Sequence, residues 1–511
     1  MAKKRQNRTI SAARAARIEN RYDAAGTGRR FAGWNTPSSG PNTAITGLQK
    51  MRDRARDVTR NEWSGASSVR VWTTNTIGTG IVPRFSALGK ASKAAVSKLW
   101  KKWVAQADAD QVLDFYGLEL LAARSWFTSG EVFGRMRPRR LGDGLDVPMQ
   151  VQLLEADMVP IFDADTYEGL AKGSVIRQGI ELDYIGRKVA YWTYRNHPGD
   201  KQMLGIPDAG QLVRVPASQM FHIFDPQRPG QLRGVPEMAS VIGKLKNVGD
   251  FDDAVLERQR LANLFTLFVI RPIPSGANDP MTGLPHNGTA DEPIAGLEPG
   301  ISQELLPGED VRFSDPPDAG ASYADFMREQ MMGVAAGGGT PYELMSGDIK
   351  DISDRTLRIV INEFRRLCEQ RQWLLFIPQM CQKVLNAWVD FATVAGHITF
   401  AESEAAKDVT WAPQGWAYIH PVQDVQAKQL EVESGFRSRS SVIVERGDDP
   451  EIVDDERAED NKREKELDLL PEPPPAPAAT NNPAEDDTKK VENALLNRVM
   501  ALLDAEGVVN G

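Results

Sequence analysis

Residues 321–391 set the strongest constraint on this chain, because they combine a helix, a glycine triplet, a short acidic loop and one long helix without interruption. The segment Tyr323 to Ala336 has helical spacing, and Gly337, Gly338 and Gly339 end it, since consecutive glycines take positive φ without steric cost. Thr340-Pro341-Tyr342-Glu343-Leu344-Met345-Ser346-Gly347-Asp348 and then Ile349-Lys350-Asp351-Ile352-Ser353-Asp354 read as a loop. Ser353 or Asp354 is suited to cap the helix that follows. From Thr356 onward Leu357, Val360, Ile361, Phe364, Leu367, Cys368, Leu374 and Leu375 keep mostly helical spacing. Pro378 is expected to kink or break that helix, and Met380, Val384, Leu385, Trp388 and Phe391 resume its stripe.

Around this stretch, 511 residues exceed one ordinary domain, and an apolar share of 41% is enough for a core. A net charge of −9 argues against a protein that coats DNA, though not against one that DNA passes through. The two cysteines, Cys368 and Cys381, both fall in expected helices and read as buried free thiols of a reducing compartment. No apolar run reaches the roughly 18 residues of a membrane span, so a soluble protein made in a cytoplasm is expected, with no membrane partner. Residues 1–33 are basic, with Lys3, Lys4, Arg5, Arg8, Arg14, Arg17, Arg21, Arg29 and Arg30 against Glu19 and Asp23, and read as a solvated tail or a docking arm.

Taken in order, residues 48–77 read as one helix, followed by helices over Leu99–Val104 and Tyr116–Phe127. A β-like run follows Gly130, and Val151 to Asp157 is a strand entering a turn. Ile176–Asp183 and Val189–Tyr194 read as the arms of a hairpin turning at Gly186-Arg187. Val213–Ser218 and Met220–Phe224 are further short strands, and His222 within the second reads as a satisfied core histidine. After Pro236 an amphipathic stripe from Met238 to about Leu261 gives a helix, and Leu264 to Ile270 a strand. Residues 272–319 are rich in proline and glycine, with a short strand inside Gln303–Phe313. Beyond Phe400 short helices are expected over Asp424–Glu433 and from Gly435 to about Arg446, then a charged stretch and a stiff linker at Pro471–Pro477. Val491 to Leu503 has the pattern of one further amphipathic helix.

Several motifs recur in one order: Arg52-Asp-Arg-Ala-Arg-Asp57 with Arg60-Asn61, Gly78-Thr-Gly-Ile-Val-Pro-Arg-Phe85, Gly130-Glu131, and Leu153-Leu-Glu-Ala-Asp157. They continue with Gly179-Ile-Glu-Leu-Asp183, Gly186-Arg187, Ala190-Tyr-Trp192, His197-Pro-Gly-Asp200 and Arg214-Val-Pro-Ala217. Pro341-Tyr-Glu-Leu344, Gly347-Asp348 and Glu363-Phe-Arg-Arg366 complete the series. Over roughly residues 48–450 the chain resembles the lambda-like family of bacteriophage portal proteins. It departs from the family where Asp351-Ile352-Ser353-Asp354 stands for the usual Asn-Tyr-Ser-Ser.

The resemblance implies an α+β portal fold: a mixed α/β wing, a two-helix stem, a loop and β clip, a long kinked helix and a helical crown. On this chain it implies a partly disordered arm (1–47), wing (48–235), stem helix (236–261), clip (262–320), second stem helix (321–339) and tunnel-loop region (340–355). A long wing helix (356–400), crown (401–468) and proline-rich disordered tail (469–511) complete it. It implies a homo-oligomeric ring of about twelve subunits at one capsid vertex, with double-stranded DNA passing through during packaging and ejection. The implied partners are the terminase large subunit, the head-to-tail connector or adaptor, and the major capsid and scaffolding proteins; the implied location is the virion, with host cytoplasm during assembly. Asp348, Ile349, Lys350, Asp351 and Ile352 take the place of the DNA-tunnel loop, with Gly337, Gly338, Gly339, Gly347 and Ser353 as its turn and cap residues.

No catalytic residue, cofactor or metal is assigned. The chain has no Gly-x-x-x-x-Gly-Lys-Ser/Thr loop, and Gly78-Thr-Gly80 lacks the third glycine and the helix of a nucleotide loop. Its five histidines, His197, His222, His286, His397 and His420, have no metal-ligand spacing with cysteine. Asp348, Asp351 and Asp354, three apart, lack the glycine and glutamate of a calcium loop and read as turns and a cap. Two rivals remain at this level: a metal-dependent phage nuclease using the acidic clusters, and a capsid adaptor or scaffold with no DNA channel.

Overall fold

The computed structural model describes residues 39–43, 47–199, 212–264, 268–270, 310–312, 323–350, 352–467 and 494. Most of the expected N-terminal arm and clip, the residue Asp351 and the C-terminal tail with its amphipathic helix lie outside the described residues. The chain divides into two compact units, one running to Ser434 and including Glu445–Gly447, the other made of Gly435–Val444 and the residues from Asp448 onward.

In the first unit, α1 (Leu48–Asn61) and α2 (Trp63–Thr76) replace the single helix expected there. The break is at Glu62, whose backbone is extended (φ −102°, ψ 124°). Two demands force it: α1 aims Arg52 at a buried carboxylate, while α2 turns Trp72 into the aromatic core. β1 (Val82–Arg84), α3 (Lys90–Val104) and α4 (Phe115–Ser129) follow. Asp114 caps α4, accepting a hydrogen bond from the Gly117 N–H at 2.7 Å. β2 (Glu131–Pro138), β3 (Met149–Leu154) and β8 (Met220–Phe224) form an antiparallel sheet in the order β3-β2-β8. A second sheet runs β4 (Val175–Arg177), β5 (Ile180–Leu182), β6 (Lys188–Tyr194), β7 (Leu212–Pro216). The expected hairpin arm Ile176–Asp183 is thus itself a hairpin, turning at Gln178-Gly179, both with positive φ (52° and 79°). The two strands expected on either side of residue 219 belong to different sheets, separated by a 3-10 turn at Ala217–Gln219.

α5 (Ile242–Leu264) runs one turn further than its stripe implied, so Leu264 is helical and only Phe268–Ile270 is strand (β9), paired with β10 (Asp310–Arg312). α6 (Tyr323–Gly338) is followed by the short α7 (Tyr342–Ser346), in a segment expected to be all loop. Then comes α8 (Asp354–Arg371). Pro378 does not break the helix: Gln372–Cys381 widens into π-helical turns that hold the proline, and α9 (Gln382–Val394) continues from them. The wider ring relieves the clash of a proline with the carbonyl of the preceding turn. Gln379 in this segment docks on the edge of β8, accepting from the Phe224 N–H at 2.9 Å and donating to the Phe224 carbonyl at 3.1 Å. Past α10 (Phe400–Lys407), β11 (Thr410–Ala412) pairs antiparallel with β1, a long-range pairing the expected helical crown did not include. α11 (Pro421–Glu433) completes this unit, and most of α12 (Arg439–Glu445) with α13 (Pro450–Glu466) belongs to the second.

The core explains why the long helix is so apolar. Trp388 of α9 lies 5.0 Å from Trp100 of α3, edge to face, and Trp103 packs on both Trp100 (5.0 Å) and Phe115 (5.4 Å). Phe376, Met380, Cys381, Val384 and Leu385 are completely buried in the same cluster. Segments some 260–300 residues apart thereby share one core. Both cysteines are free and buried. Among the described residues, no helix is long and apolar enough to cross a membrane.

Candidate functional site

The glycine triplet and the loop that follows it are built around one arginine. Gly337 and Gly338 remain in α6, and only Gly339 makes the turn, with φ +69°. Thr340 N–H then closes back on the Ala335 carbonyl at 3.1 Å. α7 ends at Gly347, whose φ of +72° is the left-handed conformation of a helix stop, its N–H bonded to the Glu343 carbonyl at 2.9 Å. From α6, two turns before the triplet, Arg328 reaches across to the loop. Its guanidinium pairs with Asp348 at 3.2 Å and donates to the Lys350 carbonyl at 3.2 Å, while lying 6.0 Å above the Tyr342 ring. Asp348 also accepts from the Tyr342 hydroxyl (3.1 Å) and the Lys350 N–H (3.1 Å). The Lys350 N–H, the Tyr342 hydroxyl and Arg328 together hold the Asp348 carboxyl below its ordinary range.

The residues expected to line a tunnel therefore have different settings. Ile349 projects with 68% exposure, and Lys350 is exposed beside it. Asp348 is engaged at the loop base, Ile352 is half-buried, and Asp351 lies outside the described residues. Ser353 caps α8, its Oγ accepting from the Thr356 N–H at 3.2 Å. Asp354 faces Arg358 (3.2 Å) and His420 (3.0 Å). Asp348 and Asp354 are each paired with basic groups of this chain, an arrangement of ion pairs rather than of free ligands.

Sequence reasoning did not single out Arg328, because its partner lies 20 residues away with no spacing to betray it. It also left the Arg-Asp-Arg-Ala-Arg-Asp motif without a function. In the structure Arg52 and Arg56, one turn apart on α1, serve a buried polar centre. Glu131, completely buried, accepts from Arg52, from Arg233 (2.8 Å), from the Gly234 N–H (2.9 Å) and meets His222 at 2.8 Å. Burial opposes ionisation of Glu131, but the two guanidiniums outweigh it and hold the carboxyl well below its usual value. Arg233 also donates to the carbonyls of Gln178 (2.8 Å), Val159 (3.0 Å) and Ala156 (3.1 Å), tying both sheets' loops together. His222 is a core histidine as expected, stacked between Phe133 (4.2 Å) and Phe224 (4.4 Å), with burial pushing its pKa down to about 4, but it is satisfied only at Nε2: its buried Nδ1 finds no hydrogen-bond partner among the described residues.

Glu155, Asp157 and His197 also gather side-chain ligand atoms within 4.8 Å of one another. Arg56 already occupies that gathering, bonded to Asp157 and 3.4 Å from Glu155, so it reads as an ion-pair cluster.

Residues 27–372 match the model of the phage portal protein, lambda family, which is more than half of the chain. The chain belongs to that family of bacteriophage portal proteins. It is 26% identical over 483 residues to a probable portal protein of Halomonas phage phiHAP-1, covering 90% of this chain and 87% of that one. It is 22% identical over 488 residues to the portal protein of Escherichia phage N15, covering 83% and 86% respectively. A solved structure of the neck of a native gene transfer agent particle, computed with C12 symmetry, matches with a TM-score of 0.44 at 15% identity, over 82% of this chain and 98% of that one.

Proposed function

We propose that this portal protein assembles as a ring of about twelve copies at one capsid vertex. Double-stranded DNA enters and leaves through the axis, and the terminase motor and the head-to-tail connector dock in turn on the ring. In this reading residues 48–235 with the long helix α8–α9 are the wing, residues 236–261 and 321–339 the stem, and residues 262–320 the clip. ATP hydrolysis belongs to the motor, and this chain is assigned no catalytic role. The observation that carries the reading is the loop after α7: Ile349 and Lys350 project from a base fixed by Arg328, between a glycine-terminated helix and a capped one.

An acidic chain suits passage. Every phosphate neutralised by a lysine or arginine releases counterions and adds affinity, which in a channel is drag. Lys350 contributes one such charge per subunit, touching backbone without reading sequence. The engaged aspartates give no support to the nuclease reading.

The test replaces Ile349 and Lys350 with serine, leaving the Arg328–Asp348 contact intact. Expression, assembly and melting temperature should match wild type, while packaged DNA length or DNA retention falls. A second variant, Ile349→Lys, should slow packaging further, most strongly at low salt. Wild-type packaging by both variants at low salt would show that the loop does not face DNA.

A further inference from the structure

Strand β2 leaves the core in a run of arginines, Arg135-Met-Arg-Pro-Arg-Arg140. On the face that carries buried Phe133 beside Leu154, the next positions are Arg135 opposite Gln152 and Arg137 opposite Gln150. Arg139 keeps the extended path, its N–H donating to the Pro148 carbonyl at 2.8 Å. β8 pairs with β2 only as far as Arg135, so Arg137 and Arg139 stand on a two-stranded ribbon. Arginines on alternate residues of one strand face follow one another at about 6.8 Å. All three are half-buried, and Arg140 beyond them is exposed.

Glutamines, not carboxylates, hold this row. Nε of Arg137 donates to Gln152 Oε1 at 2.6 Å, and Nε of Arg139 to Gln150 Oε1 at 2.8 Å. Gln150 is fixed in turn, donating to the carbonyls of Gln106 and Asp108 at 2.9 Å each. Both forks are thus held at the neck, and their Nη groups have no partner among the described residues. Nε of Arg135 is buried without a partner, and burial and the charge of Arg137 lower its pKa. The carboxylates around the ribbon are taken up elsewhere. Asp143 accepts from the Arg140 N–H at 3.0 Å, Asp146 lies 3.7 Å from Lys102, and Asp108 accepts from the Val112 and Leu113 N–H groups at 2.9 Å. That leaves Asp110, exposed on the Asp108 loop, against four arginines.

A row of like charges held in place repels itself, and an anionic ligand relieves that cost. Guanidinium forks fit phosphate and carboxylate equally well. Interfaces between proteins are centred on buried apolar or aromatic residues, whereas those with DNA are polar and strongly positive. The row has glutamine beside its arginines and no apolar side chain among them, so it matches the second kind. We propose that the arginine row of β2 binds the phosphate backbone of double-stranded DNA, at a site separate from the loop after α7. From Arg135 to Arg139 the row spans about 14 Å, and phosphates of one strand follow at about 3.4 Å of helix axis, so it lies along a single backbone and reads no base. The inference takes from the reading above only which polyanion is at hand.

The test measures binding of the full-length protein to a short labelled DNA duplex across a salt series, with melting curves to confirm that each variant is folded. Arg137→Gln with Arg139→Gln removes two phosphate contacts and should flatten the slope of log affinity against log salt by about 1.8, at about 0.9 per contact. Arg137→Lys with Arg139→Lys keeps both charges and should retain the slope. The glutamine pair should have the same effect when Ile349 and Lys350 are also replaced with serine, since the two sites are separate. An unchanged slope in the folded glutamine variant assigns DNA binding to other basic residues, such as those of residues 1–33, and overturns the site while leaving the ring reading standing. Poly-glutamate that displaces the duplex at equal charge concentration overturns DNA as the partner. A flattened slope together with wild-type packaging by the loop variants keeps the site and overturns the reading of the loop.

Discussion

Glu119 and His222 are two buried titratable residues whose environments move them in opposite directions. Glu119 is completely buried, accepting from the Ile81 N–H at 2.8 Å and from the Cys381 thiol at 3.4 Å, and burial pushes its pKa up to about 8 from 4.5. The folded chain therefore keeps a proton that the unfolded chain releases near 4.5, and stability contributed by Glu119 falls as pH rises from about 4.5 to about 8. His222, lowered from 6.5 to about 4, contributes stability above 6.5 that is lost as pH falls toward 4. Glu119→Gln keeps an acceptor for Ile81 but has no proton to lose. Its urea midpoint should therefore decline less than that of wild type between pH 5 and pH 8. Parallel curves for the two proteins would show that Glu119 is ionised in the fold. At the buried centre, Arg52→Ala leaves Glu131 short of one of its two guanidiniums, and removing one partner of a buried pair costs about 3–5 kcal/mol. Denaturant titration reads that loss; a change below about 1 kcal/mol would mean that Arg233 alone satisfies the carboxylate.

At the scale of elements, the contact from α6 to the loop makes a prediction separate from that of the loop tip. Arg328→Ala removes the pairing with Asp348 and the bond to the Lys350 carbonyl, both partly exposed, so the cost to stability should stay near 1 kcal/mol. Proteolysis between residues 347 and 353 should nonetheless accelerate, since the loop base has lost its fixed point on α6. An unchanged cleavage rate would show that α7 and its two flanking turns hold the loop unaided. The elements themselves were legible wherever local pattern decides: the helices α5 and α6, the Ser353 cap and strands such as Met220–Phe224 follow from spacing and capping chemistry. What was not legible depends on distant contacts. The break at Glu62 arises because Arg52 and Trp72 have separate destinations, and β11 exists only because β1, 328 residues earlier, offers an edge. Pro378 stayed inside a helix because the π-helical turns and the pairing of Gln379 with Phe224 compensate for it. Of the loop, position and turn residues were readable, whereas the anchoring by Arg328 and Tyr342 was not, since nothing in the spacing links them to Asp348.

For the whole molecule, a chain with Ile359, Trp373, Leu374 and Phe400 all about half-exposed or more presents apolar surface that a lone subunit leaves uncovered, and the ring proposed above would supply neighbours. Imaging purified particles end-on decides between this reading and an adaptor or scaffold without a channel. The expected result is a closed ring of about twelve subunits with an open axis and the loop residues 347–354 at its narrowest point. Particles that are monomeric, or closed along the axis, would contradict it.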